Sequence, residues 1–140
     1  MSVRGWFPGG TALAAALLMV ACAGCGRSGG PARVEVYGTV THGGTAIPAG
    51  EVVFEPDPAQ GNTGPQARAV IDNGRYRTPR GQGSVPGAVI VRVLAYDGQP
   101  HPESPYGLQM FPAYTTDLVL PDRASQQDID VPASHGAGGW

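Results

Sequence analysis

From Val34 onward, short runs rich in Val, Ile, Phe and Tyr alternate with clusters of Gly, Pro, Asn and Asp. The clusters recur at intervals of roughly 8–12 residues, the rhythm of strands joined by turns in a sandwich or barrel. No window of about 11 residues after Val20 places its apolar side chains at helical spacing. An all-β chain is therefore expected. Its 22 glycines and 14 prolines among 140 residues reach a level at which disorder has to be weighed. Here they fall between β-type runs, where turns need them.

The first strand is expected over residues 34–41, where Val34, Val36 and Val40 alternate with Glu35, Thr39 and Thr41. His42-Gly43-Gly44-Thr45 reads as a turn. A second strand is expected over 51–55, with Val52 and Phe54 inward and the glutamates outward. Residues 57–66 form a loop by composition. Residues 67–71 and 75–78 flank Asp72-Asn73-Gly74, a tight hairpin turn because Asn-Gly tolerates positive φ. The run 88–96 (AVIVRVLAY) is the most apolar after the leader, and it predicts a central strand buried on both faces. Arg92 interrupts it and needs an edge position or an acidic partner. Residues 97–113 form a Pro-rich loop, 114–120 and 127–131 the last two strands, and 134–140 a disordered, Gly-rich tail.

The N-terminal residues 1–24 read as a lipoprotein signal peptide. Arg4 gives the positive start and residues 13–20 the apolar stretch, too short for the roughly 20 residues that span a bilayer. Ala21-Cys22-Ala23-Gly24-Cys25-Gly26 follows. Cys25, with Ala23-Gly24 before it and Gly26 after it, is expected to carry the lipid. Cys22, with Val20-Ala21 before it, is the alternative. Several acyl chains on one residue give stable attachment, where one chain is marginal. Residues 25–33 then form a flexible tether and 34–133 the folded domain. The 2 cysteines are both in the leader region, so no disulfide is expected in the domain.

Charge excludes one class of partner. The 9 basic residues are all Arg, against 11 acidic residues, and both are scattered. There is no basic stripe and hence no support for nucleic-acid binding.

The segments Val36-Tyr37-Gly38-Thr39-Val40-Thr41, Ile47-Pro48-Ala49-Gly50, Val52-Val53-Phe54-Glu55-Pro56 and Asp72-Asn73-Gly74-Arg75-Tyr76 together form a pattern. It resembles that of the carboxypeptidase regulatory-like domain, as found in small bacterial lipoproteins that carry one such domain. The resemblance covers residues 34–132 and is weaker after Asp97. It implies a seven-stranded, prealbumin-like (Ig-like, transthyretin-like) β-sandwich with a structural or binding role and no catalytic residues. Transthyretin-like folds also include a ring-opening hydrolase, but its Tyr-Arg-Gly-Ser ending is replaced here by His135-Gly136-Ala137-Gly138-Gly139-Trp140.

No catalytic constellation, cofactor or metal site is expected. His42, His101 and His135 lie in a turn, a loop and a tail without ligand spacing, and read as solvated. Asp128 and Asp130 share a strand face and read as charges that discourage edge pairing, in preference to a Ca²⁺ site. The loop 97–113 is the candidate binding segment, with Tyr106, Phe111 and the adjacent Tyr114 as aromatic anchors. The expected protein is thus a non-enzymatic, exported envelope lipoprotein, held to a membrane by lipid. Its expected partner is an envelope protein or, as the alternative, a glycan.

Overall fold

The computed structural model describes residues 29–138, together with Ser2 and Gly5. The two candidate lipid sites, Cys22 and Cys25, lie outside the described residues, as does nearly all of the leader. Nine strands follow one another: β1 (Val36–His42), β2 (Thr45–Ala46), β3 (Ala49–Pro56), β4 (Ala67–Asp72), β5 (Arg75–Arg77), β6 (Gly87–Tyr96), β7 (Tyr114–Leu120), β8 (Ser125–Gln126) and β9 (Ile129–Val131). A single 3-10 turn, Pro58–Gln60, lies between β3 and β4. Among the described residues no helix is long and apolar enough to cross a membrane.

The strands hydrogen-bond into one curled sheet in the order β2-β1-β5-β4-β3-β6-β7, with β8 and β9 on the other side of β1. All neighbours are antiparallel except β8 and β9, which run parallel to β1. Two turns match their sequence signals. Gly43 and Gly44 take φ of 57° and 83°, and Asn73 and Gly74 take 48° and 77°, so both hairpins reverse with positive φ at each central residue.

The inner face buries one core. Val36 and Val40 come from β1, Val52 and Phe54 from β3, Ile71 from β4, Tyr76 from β5, and Val89, Val91 and Val93 from β6. Leu120, Ile129 and Val131 close it. The expectation that β6 is buried on both faces is corrected. The strand is central, between β3 and β7, but Val89, Val91, Val93 and Ala95 are buried while Ile90 and Leu94 are half-buried and Arg92 is exposed. Its outward side chains remain partly or fully in water, so the strand alternates. Arg92 finds its acid across the ladder, Glu55 at 3.1 Å.

The last strand, expected over 127–131, is shorter, β9 at Ile129–Val131, and is preceded by β8 at Ser125–Gln126, outside the expected range. Both run parallel to β1 in one constant register, each residue paired 89 positions back, with the strand assignment interrupted at Gln127 and Asp128. Gln127 donates its backbone N–H to the Tyr37 carbonyl at 2.8 Å and accepts from the Tyr76 hydroxyl at 2.6 Å. Any Cβ on Gly38 would run into this Gln127 carbonyl, so the close approach requires glycine there. Burial, and secondarily the Asp128 charge, hold the Tyr76 phenol far above its usual range, so it stays a donor.

The ladder directions assign the loops to two ends. β1, β4 and β6 run one way, and β3, β5 and β7 the other. The chain therefore enters β1 at the end that holds loops 57–66, 78–86 and 121–124. The opposite end holds the two tight turns, the segment 97–113 after β6, and residues 132–138 after β9.

Candidate functional site

The segment after β6 is a folded hairpin and not a loose loop. Asp97 donates its N–H to the Leu108 carbonyl and Gly98 to the Tyr106 carbonyl, both at 3.0 Å. The Asp97 carboxylate accepts from the N–H groups of Gln99 (2.9 Å) and Leu108 (3.0 Å), which ties both arms to one side chain. His101 and Ser104 exchange two backbone bonds of 2.9 and 3.0 Å at the tip. Met110 donates to the Ala95 carbonyl at 3.0 Å, docking the base of the hairpin on β6. Four prolines, Pro100, Pro102, Pro105 and Pro112, further narrow its unfolded ensemble.

The three expected aromatic anchors part company here. Phe111 is 1% exposed and belongs to the core. It cannot contact a partner; it plugs the end of the sheet. Tyr114 is half-buried and packs against the same core. Only Tyr106 is presented, at 49% exposure, with its ring 6.0 Å from that of Tyr96. Leu108 (62%) and Met110 (39%) are exposed beside it. Three apolar side chains, Tyr106, Leu108 and Met110, are thus exposed within one short arm of the hairpin. A lone Leu in a Pro-rich segment carries no local signal, so the exposure of Leu108 is legible only in the fold.

Residues 134–138, expected as a disordered tail, fold back over Phe111. The His135 ring lies 5.6 Å from Phe111 and 5.1 Å from Tyr114, both edge to face. Its Nε2 donates to the Pro112 carbonyl at 2.8 Å. The His42 ring stacks on Phe111 at 4.6 Å, and its Nε2 donates to the His135 carbonyl at 3.2 Å. Two of the three histidines expected to be solvated thus form the lid over Phe111. The apolar ring supplies what the Gly-rich segment lacks, a surface on which to order.

Asp128 and Asp130 have a structural use. Asp128 accepts from the Thr39 N–H (2.8 Å) and hydroxyl (3.0 Å), and Asp130 from the Thr41 hydroxyl (2.5 Å) and Gly44 N–H (3.1 Å). The Thr39 backbone bond first, then its hydroxyl, holds the Asp128 carboxyl below the usual range. The Thr41 hydroxyl and the Gly44 N–H do the same for Asp130. Their oxygens are committed to pinning β8 and β9 on β1. Among the described residues no group of three or more His, Cys, Asp or Glu side chains could hold a metal ion.

The candidate site is therefore the exposed arm of the hairpin, Tyr106, Leu108 and Met110, standing on a base locked by Phe111 and the two histidines. Compared with known proteins, the chain matches no family model, no curated protein and no solved structure.

Proposed function

We propose that this protein is an exported envelope lipoprotein, anchored through Cys25, that displays the 97–111 hairpin for interaction with another envelope protein. One observation carries the reading. The tether enters β1 at one end of the sheet, and the hairpin leaves β6 at the other, because β1 and β6 run in the same direction. An anchor at Cys25 would join the chain to the membrane through the tether at the first end, leaving the end that carries the hairpin free for a partner. The exposed Tyr106, Leu108 and Met110 are then available to it. Scattered single apolar residues are ordinary on a surface, whereas three of them exposed within one hydrogen-bonded arm favour an interaction role.

On this reading residues 34–133 form a carboxypeptidase regulatory-like domain with a prealbumin-like sandwich. Two features support that architecture. β1 changes partners along its length, pairing with β5 and β8 at Val36–Thr39 and with β2 and β9 at Val40–His42. The chain also passes directly from β2, beside β1, to β3, beside β6, which is how a strand turns a corner between two layers.

The test has two arms. A fatty-acid analogue should label the protein and the Cys22→Ser variant, and fail to label Cys25→Ser; labelling that follows Cys22 moves the anchor there. A photo-crosslinker placed at Leu108 should then trap one discrete protein in intact cells. The same group at Gln82, at the tether end, should not. Equal or absent products from both positions would remove the display role.

A further inference from the structure

A second surface lies on the opposite side of the sheet from the core, and nothing in the proposed display role uses it. An open groove of about 590 Å³ crosses β8, β1, β5 and β4, lined by Tyr37, Thr39, Asp72, Arg75, Arg77 and Gln126, among others. That volume is within the range of small-ligand sites, roughly 300–1,000 Å³.

The strand register builds its floor. Gln126 stands opposite Tyr37, and Tyr37 opposite Arg77, in one rank across the strands. Thr39 stands opposite Arg75, and Arg75 opposite Asp72, in the next. One rank offers an amide, a phenol ring and a guanidinium. The other offers a hydroxyl, a guanidinium and a carboxylate.

These groups are held in place. The Arg77 guanidinium lies 4.5 Å from the centre of the Tyr37 ring and is ion-paired with Glu35. The Asp72 carboxylate accepts from the Asn73 amide at 2.8 Å. The Gln126 amide is fixed on Asp128 at 3.0 Å. Arg75 is the exception. Among the described residues it takes part in no ion pair, although its guanidinium carries five donors in a planar fork.

We infer that this groove binds a neutral, hydroxyl-rich saccharide chain. A sugar hydroxyl both donates and accepts, and the groove offers donors on Arg75, Arg77 and Gln126 beside acceptors on Asp72 and Thr39. The apolar face of a sugar ring packs on an aromatic ring, and Tyr37 supplies one. An anionic ligand fits less well. Glu35 is paired with Arg77 and Asp72 stands opposite Arg75, so the local charge does not favour another carboxylate or phosphate. The groove is open along the sheet, which suits a segment of a chain more than an enclosed small molecule.

The test is titration calorimetry on the full chain in a detergent that has no sugar headgroup. The probes are three neutral hexasaccharides, of the cello, chito and malto series, and an oligogalacturonate as the acidic counterpart. Millimolar or tighter binding of a neutral probe is expected. It should weaken by at least about tenfold in Arg75→Ala and in Tyr37→Ala, and stay unchanged in Leu108→Ala. Among the described residues the Arg75 side chain takes part in no ion pair, so its variant should melt close to the wild-type temperature and separate lost binding from lost folding. The inference is overturned by no binding of any neutral probe, by binding that survives Arg75→Ala, or by binding of the acidic probe alone. None of these outcomes touches the crosslinking result at Leu108, so the two sites stand or fall separately.

Discussion

Phe111 and Tyr106 belong to one hairpin and face opposite environments, one inside the core and one half in water. Large-to-small truncation of a fully buried Phe removes transfer free energy and leaves a cavity, at about 3–5 kcal/mol. Phe111→Ala should fall in that range and should also release His42 and His135, whose rings pack on it. Tyr106→Ala gives up little beyond its ring contact with Tyr96, worth roughly 0.5–1.5 kcal/mol. Urea unfolding of the two variants checks the difference; equal losses would mean that the exposed arm is part of the core. Gly38 makes the complementary case, where atoms are added. Gly38→Val drives a side chain against the Gln127 carbonyl, and overpacking of this kind costs typically about 1–3 kcal/mol. It should also break the Tyr76 hydrogen bond to that carbonyl, which the Tyr76 fluorescence or hydroxyl exchange reports.

At the scale of elements, β8 and β9 are the ones most dependent on side-chain charge. Both are short, both lie parallel to β1, and two ionised aspartates fasten them. A carboxyl whose folded-state pKa is lowered stabilises the fold above the unfolded aspartate value, near 3.9, and that contribution fades as pH falls toward the folded value. Once corrected for the intrinsic exchange rate, protection of Ile129 and Val131 should therefore fall as pH drops below the unfolded aspartate value, before β3 and β6 open. Asp128→Asn with Asp130→Asn should flatten that pH dependence, and an unchanged profile would show that the pins are only neutral hydrogen bonds. The sequence made the longer strands legible and these two less so, for a physical reason. Alternation in β1, β3 and β4 and the Asn73-Gly74 turn are local signals. The pairing of β9 with β1 joins residues 89 apart in the chain, as in the Thr39–Asp128 contact, and no local pattern reports it. The same holds for Phe111. An aromatic in a Pro-rich loop reads as display, and only the fold shows that it reaches the open end of the core. The Tyr37–Arg75 groove was invisible for a third reason, since its members come from four strands whose register had to be known first.

For the whole molecule, the topology sets the order in which the core can assemble. The β4–β5 hairpin closes over two turn residues and pairs Ile71 with Tyr76, a local event of microseconds. β3 joins it with six register pairs and β6 joins β3 with eight. The β1–β9 pairing must wait for the end of the chain and for the largest loop closure. All-β domains dominated by such distant pairings fold in milliseconds to seconds. A folding nucleus on β3, β4, β5 and β6, with β9 docking late, follows from that ordering. Ile71→Val and Ile129→Val remove the same methyl group from buried sites, each at about 0.5–1.5 kcal/mol. Ile71→Val should slow folding, with a φ-value of about 0.5 or more, while Ile129→Val should mainly speed unfolding, with a φ-value of roughly 0–0.3. Stopped-flow chevrons of the two variants measure both values. If Ile129→Val slows folding as much as Ile71→Val does, the parallel pairing with β1 forms in the transition state, and the late docking of β9 has to be abandoned.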